Sequence, residues 1–277
     1  MTDGFDPRTT LWRVDLADAR LEGVRCAERY VDRRRKVCGV SIAPLRRAPD
    51  LNAEQVDQLV FGEAFDVLEQ RGGWAWGQAA RDGYVGWVRE TALPGPAARP
   101  THRVTAVTTW ALAAPDVKAR ALNMLPLNAL AAVAAVEGRF ARVSGAGWAP
   151  VSALAPVGAG FATEMAAVAE RFERAPYLWS GRTAHGIDCS GLVQQALYAC
   201  GRACPRDSDQ QEAALGRPLK GREKPRRGDL AFWDRHVGVM LDGANLLHAN
   251  AFHMAVAREP LADAVARHDH PVRLRRL

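Results

Sequence analysis

The chain has 277 residues, 48% of them hydrophobic and 25% charged, and a formal net charge of +6, which is length enough for two or three domains. No stretch approaches the apolar length of a membrane span, and five cysteines without a compact spacing pattern argue against a disulfide framework. The basic runs Arg33-Arg34-Arg35-Lys36 and Arg222-Glu223-Lys224-Pro225-Arg226-Arg227 are short, lack interleaved aromatics and are offset by 31 acidic residues, so they read as solvated faces rather than a nucleic-acid surface.

In chain order, the opening run Met1 to Arg8 has no basic stretch leading into an apolar one, so no secretory leader is expected. With the thiol usage, this makes the cytoplasm the expected compartment. The N-terminal arm, with Arg25 to Val40, reads as irregular. Beyond it, Ala64-Phe65-Asp66-Val67-Leu68-Glu69 alternates, Arg71-Gly72-Gly73 turns, Trp74-Ala75-Trp76-Gly77-Gln78 resumes, and Asp82-Gly83 turns into Tyr84-Val85-Gly86-Trp87-Val88. Pro94-Gly95-Pro96-Ala97-Ala98-Arg99-Pro100 suits a linker. A shorter echo follows in Ala131 to Val136, Glu137-Gly138, Phe140-Ala141-Arg142-Val143 and Gly145 to Val151. Both units end in a glycine turn, a tryptophan and a valine, and both resemble bacterial SH3-like barrels.

The run Gly186-Ile187-Asp188-Cys189-Ser190-Gly191-Leu192-Val193 appears next, and it predicts a helix start. Asp188 is a favoured N-cap type, Leu192, Val193, Ala196, Leu197 and Cys200 form an apolar stripe, and Gly201 suits a left-handed C-cap. Unpaired N–H groups and the positive end of the macrodipole favour thiolate over thiol at such a position. Two readings of Cys189 stand on this run alone, a nucleophile and a small core hydrophobe. Cys200 and Cys204 form C-x3-C without a second ligand pair, which does not describe a zinc site.

A nucleophilic cysteine requires a base, and the base requires an orienter. His236-Val237-Gly238-Val239-Met240-Leu241, the turn Asp242-Gly243-Ala244 and Asn245-Leu246-Leu247-His248-Ala249-Asn250 read as one hairpin. If Leu241 pairs with Asn245, Gly238 lies opposite His248. His236 and His248 then share a face, with Val237, Val239, Leu247 and Ala249 on the other. A two- or four-residue loop would separate the histidines.

These residues resemble the NlpC family of papain-like cysteine peptidases, which cleave peptidoglycan peptides. The resemblance runs from about Val157 to Pro271. Pro176-Tyr177-Leu178-Trp179-Ser180-Gly181 is similar to the family's approach to its nucleophile, with Ser180 where a glycine is usual, and Asp188 to Val193 matches the nucleophile motif. Pro205 to Gln211, Arg226 to Trp233, His236-Val237-Gly238-Val239 and His248-Ala249-Asn250 follow in order. The expected architecture is multidomain: an N-terminal arm and first SH3-like barrel over residues 1–95, a second barrel over 100–156, and an α+β papain-like domain over 157–277.

The resemblance implies Cys189 as nucleophile, His236 as general base and then acid, and His248 as its orienter, with backbone N–H groups at the helix start meeting the oxyanion and no metal or other cofactor. Relatives with such barrels cleave between γ-D-glutamate and the diamino acid of L-Ala-γ-D-Glu-L-Lys or its diaminopimelate counterpart, releasing L-Ala-D-Glu. A cytoplasmic form would recycle free murein peptides, bind neither nucleic acid nor membrane, and require an unblocked N-terminal alanine. The resemblance offers Asp188, Ser190, Tyr177 and Glu63 to meet that ammonium, and Tyr84 is a further candidate whose competing reading is core packing. Asp188 also has its capping role to fill. The competing functions are a secreted wall endopeptidase, an N-acetylmuramoyl-L-alanine amidase and a non-catalytic wall-binding protein.

Overall fold

Alternating apolar residues become antiparallel ladders over most of the chain. A computed structural model describes residues 5–95, 98–158, 161–268 and 270–277. Pro96 and Ala97 of the linker and the first four residues lie outside these ranges. The chain divides into two compact units, one ending at Val157 and the other beginning at Gly158.

In the first unit, one six-stranded antiparallel sheet has the order Arg34–Val37, Ala64–Arg71, Trp74–Ala79, Val85–Arg89, Ile42–Arg46 and Gln55–Val60. Leu45, Leu59, Phe65, Val67 and Val88 are fully buried on its inner face, each such side chain contributing about 1.5–3 kcal/mol by burial. The sheet coils tightly enough that a Cβ at Gly77 would lie 2.2 Å from the Asp66 carbonyl oxygen. Trp74, Trp76 and Trp87 line another cluster, closed by Leu11 and Leu16 from the N-terminal arm.

That arm is more regular than its sequence suggests. Ala17–Asp18 pairs in parallel with Tyr30–Val31, and Arg34–Val37 forms an edge strand on Ala64–Val67. The basic run supplies no apolar alternation, so its strand is held by the backbone ladder and by ion pairs. Arg35 bonds both carboxylate oxygens of Asp66 at 2.8 and 2.9 Å, while Arg33 bridges Asp66 and Asp18.

The later strands of this unit split into a five-stranded sheet, ordered Ala121–Pro126, Thr108–Leu112, Gly147–Pro150, Phe140–Val143 and Val133–Glu137, and a three-stranded sheet, Leu130–Ala131, His102–Val104 and Leu154–Pro156. Among the described residues neither closes on itself. Val104, Ala111, Leu125 and Ala149 form their core, joined by Val60 and Phe61 from the preceding strand group.

The second unit is α+β. Its six-stranded antiparallel sheet runs Arg217–Pro218, Arg273–Arg276, Leu230–Trp233, His236–Met240, Asn245–Asn250 and Ala255–Pro260. The helix Cys189–Ala199 packs on the His236–Met240 and Asn245–Asn250 strands. Every one of its residues is buried, including Gln194 and Gln195, so it is a core helix rather than an amphipathic surface one. Gly201 follows with a φ of 75°, a left-handed value that glycine adopts without steric cost.

Candidate active site

Asp188 caps the core helix and anchors the loop before it. Its Oδ1 accepts from the Gly191 N–H at 2.6 Å and its Oδ2 from the Ser180 N–H at 2.9 Å. Arg206 clamps the same carboxylate with Nη1 at 3.0 Å and Nη2 at 2.8 Å, and its Nη1 also reaches Ser190 Oγ at 2.8 Å. Both charged partners are buried, with the Arg206 side chain 0% and that of Asp188 9% exposed. A bidentate fork of this kind is stronger and more directional than two neutral hydrogen bonds. The capping role is filled by the bond from Gly191, and Asp188 carries further structural bonds, from Ser180, Ser190 and Arg206, that its sequence neighbourhood does not announce.

The approach loop is pressed against this start. Leu178 N–H donates to the Ile187 carbonyl, and Asp188 N–H to that of Gly181. A Cβ at Gly191 would fall 2.3 Å from the Gly181 oxygen, which leaves room for glycine alone. Ser180 has a φ of 56°, the left-handed region that disfavours a side chain, at the position where glycine is usual in the resembling family.

Cys189 itself is 8% exposed. Burial, followed by the adjacent Asp188 charge, pushes its thiol up to about 12, although the backbone N–H groups of Val237 and Ser190 pull the other way. This reverses the expectation from the helix start. The dipole and N–H groups act as anticipated, but desolvation of a thiolate in a water-poor pocket outweighs them. At neutral pH this favours the thiol form of Cys189.

The hairpin carries the candidate base. Val239 faces Leu247, Met240 faces Leu246, and Leu241 N–H bonds the Asn245 carbonyl at 2.8 Å, the register that a three-residue loop requires. His236 Nε2 and His248 Nδ1 are 2.8 Å apart. Gly238 stands between them in register, and a Cβ there would meet Leu246 Cδ1 at 2.6 Å and His248 Cβ at 3.3 Å. The imidazole face is not purely polar, since Met240 and Leu246 share it and pack with Trp233 and Ala264. With Nε2 engaged, His236 has Nδ1 left for proton exchange. The Cys189 sulfur is met by the N–H of Val237, the residue that follows His236.

Burial, then the neighbouring His248, His268 and Arg267, pushes His236 down to about 3. Burial also lowers His248 to about 4, against the bond it makes to Glu259, which favours its charged form. His248 Nε2 lies 2.6 Å from Glu259 Oε1, and Arg267 is paired with the same oxygen. His268 stacks on Trp233 with ring centroids 4.9 Å apart and on His236 at 5.5 Å.

Of the other residues singled out in sequence, Ser190 is buried with its hydroxyl held between Arg206 and Asp188. Tyr177 is half-buried near Cys189 and Asp188, and burial first, then those two groups, raises its hydroxyl above the ordinary value. Glu63 and Tyr84 belong to the first unit. The Glu63 carboxylate accepts from the Val60 N–H at 3.0 Å and from Arg81 at 2.9 Å, and Tyr84 lies in the apolar core with Phe65 and Val67. Arg206, Glu259 and Arg267 were not found by sequence reasoning. Arg206 sits inside the segment Pro205 to Gln211 that resembles the family, but nothing local names its partner. His248, His253 and Glu259 place ligand atoms within 4.8 Å of one another. A cation there would have to displace the Arg267 guanidinium and break the His248–Glu259 bond.

The chemistry open to this set is acyl transfer through sulfur. The Cys189 proton passes to His236 as Sγ attacks a carbonyl, His236 then protonates the leaving amine, and a water activated by His236 releases the acyl group. N–H groups at the helix start are the donors available to a developing oxyanion.

Residues 174–271 match the NlpC/P60 family and residues 45–93 the bacterial dipeptidyl-peptidase Sh3 domain. The gamma-D-glutamyl-L-lysine dipeptidyl-peptidase of Bacillus subtilis (strain 168) is 31% identical over 221 residues, 69% of this chain and 71% of that protein. Dipeptidyl-peptidase 6 of Lysinibacillus sphaericus is 36% identical over 77 residues, 27% of each chain. A crystal structure of a NlpC/P60 family protein from Bacillus cereus ATCC 10987 superposes with a TM-score of 0.74 at 20% identity, covering 88% of this chain and 99% of that one, which shows a shared fold. With a cysteine at a capped helix start, a paired-histidine hairpin and these matches, the chain belongs to the NlpC/P60 family of cysteine peptidases, preceded by a bacterial SH3-type domain.

Proposed function

We propose that the protein hydrolyses the γ-D-glutamyl–L-diamino acid bond of free murein peptides that carry an unblocked N-terminal L-alanine, releasing L-Ala-D-Glu. The observation that carries this reading is the extent of the match to the B. subtilis dipeptidyl-peptidase. Its 221 aligned residues exceed either compact unit, so the likeness extends beyond the peptidase unit into the strand-rich unit before it. A dipeptidyl-peptidase must recognise an ammonium two residues from the scissile bond. Asp188, Ser190 and Tyr177, grouped around Cys189, are the residues we assign to that recognition, with the substrate ammonium sharing the Asp188 carboxylate with Arg206.

We take both strand groups of the first unit as SH3-like modules, and the cytoplasm as the site of action, where small peptides already detached from glycan would be recycled. A reducing compartment suits a reactive thiol. The test is to incubate the protein with L-Ala-γ-D-Glu-diaminopimelate, its lysine counterpart and the N-acetylated form of each. Cleavage of the free peptides with at least a hundredfold loss on acetylation is the expected outcome, by the rule that a site built around a polar group rejects a ligand lacking it by large factors. Equal rates on free and acetylated peptides would refute the exopeptidase reading.

A further inference from the structure

The two histidines are joined to a third side chain that none of the comparisons assigns. His248 is 1% exposed, and both of its ring nitrogens are engaged, Nδ1 by His236 Nε2 at 2.8 Å and Nε2 by Glu259 Oε1 at 2.6 Å. Glu259 lies on the neighbouring strand Ala255–Pro260, where His248 pairs with Ala257, and Arg267, just past the helix Leu261–Ala266, pairs with the same Glu259 oxygen.

We infer that Glu259, held by Arg267, is a positioning residue that fixes the tautomers of both histidines and so presents His236 to the thiol as a base. The logic is one of donors and acceptors. Burial alone would favour a neutral Glu259, but the bonds from Arg267 and His248 outweigh it and hold the carboxyl below its ordinary range. An ionised carboxylate only accepts, so His248 Nε2 must carry the hydrogen. A neutral His248 then has a bare Nδ1, which can only accept, and His236 Nε2 must donate to it. The one remaining nitrogen, His236 Nδ1, is left bare and able to take the Cys189 proton. Reversing any one bond would reverse them all and place a hydrogen on the atom that must act as base. When His236 becomes an imidazolium during attack, the chain already points its positive end towards Glu259, so the charge is met without reorientation.

Three other groups face this relay. His253 approaches His248 edge-on at 6.5 Å between ring centroids, and His268 and Trp233 lie against His236. The inference rests on Cys189 and His236 as the reacting pair, and the test keeps the two apart.

The tautomers are read by long-range proton–nitrogen correlation on the full-length protein labelled with nitrogen-15 in histidine, at neutral pH, alongside kcat and KM for the free tripeptide. Hydrogen on Nε2 of both histidines is expected in the wild type, which needs no variant to test. In Glu259→Leu, His248 should become a mixture of tautomers, with kcat lowered at least tenfold and KM within about twofold, since groups that orient a reacting ligand typically cost 10–100-fold when removed. Arg267→Met removes one of the two bonds that keep Glu259 ionised and should shift His248 part of the way towards the same mixture; wild-type tautomers and kcat in that variant would show that Arg267 does not hold the carboxylate. A wild-type His248 carrying its hydrogen on Nδ1, or a Glu259→Leu protein with unaltered tautomers and kcat, would overturn the inference. Cys189→Ala with undiminished activity would instead overturn the assignment of the reacting pair.

Discussion

Replacing Arg206 with methionine removes the cation from a buried pair while keeping much of its length. The guanidinium is 0% exposed and makes two bonds to Asp188, at 3.0 and 2.8 Å, and one to Ser190 Oγ at 2.8 Å. Breaking one side of a buried ion pair costs about 3–5 kcal/mol, because the remaining charge stays in a low-dielectric site. Here Asp188 retains its bonds from the Gly191 and Ser180 N–H groups and the Ser190 hydroxyl, which places the expected loss near the lower end, about 3 kcal/mol. That corresponds to a shift of roughly two orders of magnitude in the local opening equilibrium, at about 1.4 kcal/mol per tenfold. Hydrogen exchange followed by mass analysis of the Cys189–Ala199 segment reads this opening in the full chain, where a global melting curve would mix two units. The double variant Asp188→Asn/Arg206→Met should lose less than the sum of the singles, since the first change removes the charge that the second leaves stranded. A loss under about 1 kcal/mol in Arg206→Met, or additive effects in the double variant, would refute the reasoning.

Three further outcomes follow from the same site. With Cys189 raised to about 12 and His236 lowered to about 3, both are neutral across the intervening range, so alkylation of Cys189 by iodoacetamide should accelerate continuously from pH 5 to 9; a fast, pH-independent rate down to pH 5 would indicate a standing thiolate–imidazolium pair instead. His248 is lowered from 6.5 to about 4 by burial, so the folded state binds its proton less readily than the unfolded state. Its contribution to stability is therefore complete above pH 6.5 and disappears as pH falls towards 4, a change on the order of 3 kcal/mol, which urea titrations at successive pH values, with His248→Phe as a flattened control, would measure. Gly238→Ala would place a methyl group 2.6 Å from Leu246 Cδ1 and 3.3 Å from His248 Cβ, and should destabilise the second unit by about 1–3 kcal/mol and lower kcat more than it changes KM, as read by steady-state kinetics on the tripeptide.

The parts of this site that could be read in sequence are those set by short-range geometry. Asp188 as a cap and Gly201 as a stop need only helix stereochemistry. The shared face of His236 and His248 follows from an odd loop length. The parts that could not be read depend on groups brought together by packing. Arg206 and Asp188 are eighteen residues apart, and His248 and Glu259 eleven, and neither separation has a repeat or motif to mark it. The strand carrying Glu259 begins and ends in polar or small residues, so its alternation is weak. The Cys189 thiol shows the same division: its helix start argued for a lowered pKa from local dipoles, whereas the burial that reverses it is supplied by the whole unit. In the N-terminal arm, Arg34–Val37 lacks the alternation that marks a strand and is held by Asp66 and the neighbouring backbone.

The nucleophile assignment underlies all of this, and it is tested most directly by intact-mass analysis of the protein during turnover of L-Ala-γ-D-Glu-diaminopimelate. A transient L-Ala-D-Glu acyl adduct that maps to Cys189, absent from Cys189→Ala together with all peptide cleavage, is the predicted result. Cleavage that persists in Cys189→Ala, or an adduct mapped to another residue, would contradict it.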